Sequence, residues 1–152
     1  MFKEGNLLKF KPFIFKNGAN PKDKYFIVLK HQKEGNVILA SLPTSKDHVP
    51  NDIKANTGCI ELPERQVNVF IFPAKENIAI HPESQHSFSF PLNTFIYGVD
   101  IDSYPITAFE QQIETLETQV ELIGEITTPY MEALKHCFKH SKMVKNKFRK
   151  ML

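Results

Sequence analysis

The sequence predicts a mainly β protein with C-terminal α-helices. A small barrel or strongly bent sheet occupies residues 1–101, and two helices in residues 104–152 cover it, all within a single domain of 152 residues. Three observations carry this reading. Lys24–Ser45 holds two apolar runs, Tyr25–Leu29 and Val37–Leu42, around a joint with the turn pair Gly35-Asn36, the pattern of a buried β-hairpin. Further short β-branched and aromatic runs follow up to Ile101 with no helical pattern between them, which argues against an α/β arrangement. After Pro105 the apolar spacing changes to three and four residues, the helical period.

Taken in order, Gly5 precedes a first strand carrying Leu8, Phe10, Phe13 and Phe15. Pro12 interrupts it, and because proline lacks a ladder donor the strand lies at an edge or carries a bulge there. Lys16–Asp23 is a loop broken by Asn17-Gly18 and Asn20-Pro21. After the hairpin and the polar stretch Ser45–Asn56, strands are expected at Gly58–Leu62 and Val67–Phe72. In the latter, Val67, Val69 and Ile71 share one face and Asn68, Phe70 and Phe72 the other. Asn77–Ile80 fits a short strand, Pro82–Phe90 a loop with Phe88 and Phe90 alternating, and Thr94–Ile101 closes the β-rich part. Thr107-Ala108-Phe109-Glu110 has the form of a capping box. Phe109, Ile113, Leu116, Val120 and Ile123 then make one face of a helix that ends at Gly124. Thr127-Thr128-Pro129 opens a second helix with proline at its first position. Its stripe is Tyr130, Leu134, Cys137, Val144, Phe148 and Met151, with Ser141 as the polar interruption.

A hydrophobic content of 41 % supports a packed core and excludes wholesale disorder. The N-terminal residues carry no signal-peptide pattern, and no apolar run approaches the roughly 20 residues a membrane span needs, so no membrane association is expected. Cys59 and Cys137 lie far apart in sequence without framework partners, and the expectation is a reducing cytoplasm. The net charge is +2, but Lys135–Lys150 holds seven basic and no acidic residues, leaving 12 basic against 17 acidic elsewhere. That asymmetry marks either an anion-facing tail or a solvated helix face.

Most chemistry-bearing patterns are missing. His136 and His140 stand one helical turn apart, but sequence places no third metal ligand and no zinc-protease glutamate with them. His81 and His86 are similarly unsupported, and Cys59 on a buried strand reads as core. There is no phosphate-cradling glycine loop and no nucleophile elbow. What remains is cationic and hydroxyl-bearing. Lys16, Lys22 and Lys24 surround the first loop, either facing phosphate or serving solubility. Pro43-Thr44-Ser45-Lys46-Asp47 follows the hairpin where the chain leaves the sheet, with His48 close behind.

These residues resemble the MazF/PemK family of toxin endoribonucleases. Gly5-Asn6-Leu7-Leu8-Lys9-Phe10 is similar to the family's opening strand, Lys16–Asp23 to its flexible basic loop, and Lys24–Leu29 to its second strand. Val37–Ser45 is similar to the third strand with its hydroxyl-bearing end, and Leu122–Ile126 before a final helix to the family's ending. Two departures stand out. Lys24 followed by Tyr25 replaces the family's arginine-proline pair, and Pro43 directly abuts Thr44. Lysine keeps the charge but loses the planar fork that grips a phosphate with two hydrogen bonds.

The resemblance implies an SH3-like, PemK-like barrel and metal-independent, sequence-selective cleavage of single-stranded RNA without a cofactor. The chain would be the toxin of a toxin–antitoxin pair, a cytoplasmic homodimer partnered by a small acidic antitoxin. Lys24, Thr44 and Ser45 would be the catalytic residues, and Lys16, Lys22, Lys46 and His48 would bind RNA. The alternative is a non-catalytic RNA-binding or protein-interaction module on the same scaffold.

Overall fold

The computed structural model describes residues 1–42, 52, 53 and 56–152. Ten strands and three α-helices make up the described chain. The strands are β1 (Asn6–Phe13), β2 (Lys22–His31), β3 (Asn36–Leu42), β4 (Gly58–Leu62), β5 (Val67–Phe72), β6 (Ala79–Ile80), β7 (Ser87–Phe88), β8 (Thr94–Tyr97), β9 (Asp102–Pro105) and β10 (Gln119–Ile126). The helices are α1 (Ile106–Glu114), α2 (Thr128–Lys139) and α3 (Asn146–Arg149).

All pairings are antiparallel. One sheet has seven strands in the order β7-β6-β10-β1-β2-β3-β9, and a second has three in the order β4-β5-β8. The protein is therefore mainly β, as expected, but no strand pairing closes the two sheets into a barrel among the described residues. The β2–β3 hairpin is as read, with Tyr25 opposite Leu42 and His31 opposite Val37. Gly35 sits at φ +88°, which L-residues rarely adopt, so glycine is what the turn requires. Pro12 lies in a central strand, and the ladder accommodates it by a register shift between Phe10 and Phe13.

Side-chain alternation divides the core in two across the larger sheet. One face presents Leu7, Ile27, Leu29, Ile38 and Leu42 to Phe70, Phe72 and Ile96 of the smaller sheet and to Leu134, Cys137 and Phe138 of α2. The other presents Leu8, Phe10, Phe26, Val28 and Leu39 to Phe109 of α1. Here the aromatics interlock: the Phe10 ring lies 5.3 Å from Phe13, 5.3 Å from Phe26 and 5.1 Å from Phe109. Val69 and Ile71 form a third cluster on the outer face of the smaller sheet, the split predicted for that strand.

The C-terminal part departs from expectation. The helix foreseen from Thr107 to Ile123 stops at Glu114, and residues 119–126 form a strand inserted between β1 and β6. Leu116, read as part of the helical stripe, is 85 % exposed and takes φ 62°. The stripe was a coincidence of two periods. Val120 and Leu122 pack beside Phe10 while Ile123 faces the opposite core, as strand alternation requires, and a register shift at Leu7/Leu8 brings Ile126 to that same opposite core. Gly124, read as a helix stop, allows a close approach instead. A Cβ there would lie 3.1 Å from the Ile80 carbonyl carbon. The capping box is also absent: Pro105 occupies the N-cap position, with no side-chain cap.

The final helix divides at buried Ser141, whose hydroxyl accepts from the Met143 N–H at 3.1 Å. Val144 and Phe148 are buried in the chain's own core, so its own sheets cover most of the terminal stripe, while Met151 stays 38 % exposed. Cys59 and Cys137, read as isolated, are joined in a disulfide with Cα atoms 5.5 Å apart.

Candidate functional site

Lys24 opens the candidate site. It lies near the start of β2, where alternation places it on the same face as Phe26 and Val28, toward α1. Its side chain is half-buried, with Nζ 5.4 Å from the Phe15 ring centre and 5.9 Å from that of Phe26. Burial lowers the Lys24 pKa from its ordinary value, and the neighbouring Lys22 lowers it further, while Asp100 works in the opposite direction. Lys22 is exposed, with Nζ 5.9 Å from the same Phe15 ring. The two ammonium groups thus share one aromatic ring at the mouth of the first loop.

Lys16 is differently occupied. Its Nζ donates to Asp102 Oδ2 at 3.2 Å and to the Ser103 carbonyl at 2.6 Å, and stands 4.1 Å from the Tyr104 ring centre. The loop is therefore strapped across β9, and this lysine's charge is compensated locally. Burial pushes the Asp102 carboxyl up, but the Ser103 N–H and the Lys16 ammonium more than offset it, and the net shift is downward. Tyr104 is pushed up to about 12 by burial, with Asp102 and Asp100 adding to the effect. Its ring packs against Phe13 and Phe109 at 5.6 Å from each, so it is held in place.

Thr44, Ser45, Lys46 and His48 lie outside the described residues. The described part of β3 ends at Leu42, opposite Tyr25 and one residue along from Lys24. Of the sequence-predicted residues, Lys22 and Lys24 come together at Phe15, and Lys16 lies over Tyr104, whose ring packs against Phe26. Among the described residues no cluster of three or more histidine, cysteine or acidic side chains could hold a metal ion. The His136 and His140 ring centres lie 4.3 Å apart at a tilt of 41°, and His140 Nδ1 engages the His136 carbonyl.

Sequence reasoning missed Phe15, Asp100, Asp102 and Tyr104 as parts of this surface. The available signal was the alternation of Asp102 and Tyr104, a short strand in period two lying between the expected last strand and the expected helix. Comparison of the chain with known protein families, curated proteins and solved structures finds no match.

Proposed function

We propose that the protein is a metal-independent endoribonuclease acting on single-stranded RNA, with Lys24 as its central cation. The observation that carries this is a half-buried lysine with a lowered pKa, set in an aromatic rim beside a second, exposed lysine. Cleavage next to a ribose 2′-hydroxyl needs neither metal nor cofactor. The 2′-oxygen attacks phosphorus, the 5′-oxygen departs, and the protein supplies charge stabilisation and proton transfer. A lysine of depressed pKa releases a proton to a leaving oxygen more readily than an ordinary one. Lys22 meets the backbone phosphate, and Phe15 and Tyr104 offer ring surface to unstacked bases. Thr44 and Ser45 orient the phosphate, with Lys46 and His48 extending the strand's path.

The barrel-like closure, the toxin role, the acidic antitoxin, the homodimer and the cytoplasmic location belong to the same proposal and rest on the resemblance to the MazF/PemK family. The terminal apolar stripe is largely covered by the chain itself, so it adds no support for a dimer. The test is expression in cells. Growth arrest with cleaved transcripts is expected, relieved by Lys24→Ala and by Thr44→Ala while the circular dichroism spectrum is retained. Normal growth with intact transcripts refutes the activity.

A second reading has its own observation. Lysine rather than arginine at position 24 cannot grip a phosphate with two parallel hydrogen bonds, which suits binding without cleavage. RNA bound uncleaved, with affinity falling steeply as salt rises, selects that module.

A further inference from the structure

We propose that the Cys59–Cys137 disulfide is a thiol-exchange site, at which a small aliphatic thiol such as glutathione forms a mixed disulfide with Cys59 and releases Cys137. Three features of the surroundings give the exchange a direction. First, the two cysteines differ in access: Cys59 on β4 is exposed, whereas Cys137 on α2 is 3 % exposed within the main core. An incoming thiolate reaches the bond from the Cys59 side alone. Second, that side opens on a cavity of about 590 Å³ whose wall includes Cys59, Phe70, Tyr130 and His136. It offers apolar ring surface to an aliphatic thiol and an imidazole to accept its proton. Third, the departing sulfur has a donor waiting. Asn68 Nδ2 lies 3.5 Å from Cys137 Sγ, while its other N–H is held by Glu61 Oε2 at 2.8 Å. Exchange is faster when the leaving thiolate is stabilised; burial in the core works against the Cys137 thiolate, and the fixed Asn68 amide N–H is what offsets it.

The step balances without any further reactant. A sulfur lone pair of the incoming thiolate forms the new S–S bond with Cys59 Sγ. The electron pair of the old S–S bond goes to Cys137 Sγ, which takes up the proton that the incoming thiol lost. The products are a Cys59 mixed disulfide and a Cys137 thiol, and the covalent tie between β4 and α2 is gone. A second thiol attacking the adduct leaves both cysteines reduced and one external disulfide formed.

The test is intact-mass and peptide mapping of the folded full chain after limiting reduced glutathione and an acid quench. The expected result is an unreduced protein with Cys59 bonded to Cys137, followed by glutathione on Cys59 and none on Cys137. Glutathione on Cys137, or two free thiols in protein purified without reductant under air, overturns the proposal. Two variants keep the test decisive if the adduct is resolved too quickly to isolate. Treated with oxidised glutathione, Cys137→Ser takes the adduct at Cys59, and Cys59→Ser stays unmodified while its circular dichroism spectrum matches wild type. An unmodified Cys137→Ser variant or a modified Cys59→Ser variant refutes it. Asn68→Ala slows release of Cys137 in wild-type background without blocking the adduct in the Cys137→Ser background. Equal slowing in both assigns Asn68 a merely structural role and removes it from the proposal.

Discussion

Leu116→Gly separates two accounts of the chain after Pro105 by the sign of its effect. If Leu116 sat in a helical stripe, glycine there would cost about 1 kcal/mol in helix propensity. Losing a packed leucine would add about 2–5 kcal/mol. In the observed structure the same residue is 85 % exposed at φ 62°. Full burial of a leucine is worth about 1.5–3 kcal/mol, so this exposure leaves less than about 0.5 kcal/mol of burial to lose. A left-handed conformation costs an L-residue roughly 1–2 kcal/mol, which glycine relieves. The extra freedom glycine gives the unfolded chain takes back about 0.4–1 kcal/mol. The net expectation is a change between about −0.5 and +1.5 kcal/mol, neutral to mildly stabilising. Urea unfolding of the full chain, followed by circular dichroism with an unchanged denaturant slope, measures it. Destabilisation beyond about 2 kcal/mol would restore the long helix and refute the strand at residues 119–126.

Phe109→Ala, which removes the α1 ring packed against Phe10, should cost about 3–5 kcal/mol in the same assay; a cost below about 1 kcal/mol would detach α1 from that core. Gly124→Ala should destabilise, because the added Cβ meets backbone at Ile80 and His81 rather than a movable side chain; hydrogen exchange should show β6 opening first, and unchanged protection there would count against the close approach. Lys24→Met should raise stability at neutral pH. The folded-state pKa is lowered, so the unfolded chain binds more protons between that value and 10.5, and the penalty of burying the charge is present below this window and relieved as pH rises through it. The gap between variant and wild type should therefore narrow toward pH 10.5, and a gap independent of pH would remove the burial argument. Asp102→Asn should remove the ion pair to Lys16 while leaving its bond to the Ser103 carbonyl, and lower stability above the carboxyl's ordinary pKa, with the difference from wild type vanishing as the solution is acidified.

What could be read from the sequence was local. The β2–β3 hairpin is two apolar runs and a glycine turn within a short stretch, and β4 and β5 cover the spans Gly58–Leu62 and Val67–Phe72 expected from the sequence. What could not be read depended on partners far away in the chain. Residues 119–126 carry spacings compatible with either period, and the choice is made by unsatisfied ladder positions on β1 and β6, which no local window contains. Asp102 and Tyr104 are ordinary residues until β9 pairs with β3 and brings them under Lys16. The disulfide spans 78 positions, and nothing near either cysteine announces the other. For the candidate site, Lys22 and Lys24 were legible as a charged strand start, but the half-burial of Lys24 comes from Phe15 and Phe26 closing around it.

The positions of these two features decide how one could act on the other. Lys24 belongs to the α1 face of the larger sheet, while Cys137 belongs to the opposite core, so thiol exchange leaves the lysine and its aromatic rim untouched. Its effect is on how firmly the whole fold is held. A bond closing a loop of 78 residues stabilises by about 4–5 kcal/mol on the chain-entropy account. Small domains are stable by roughly 5–15 kcal/mol in total, so losing that bond removes a large share of the margin. Where the tie is reduced, any activity at Lys24 would track the abundance of folded chain rather than a blocked site. Exchange at Cys59 should accordingly lower the unfolding midpoint while leaving any RNA affinity per folded molecule unchanged.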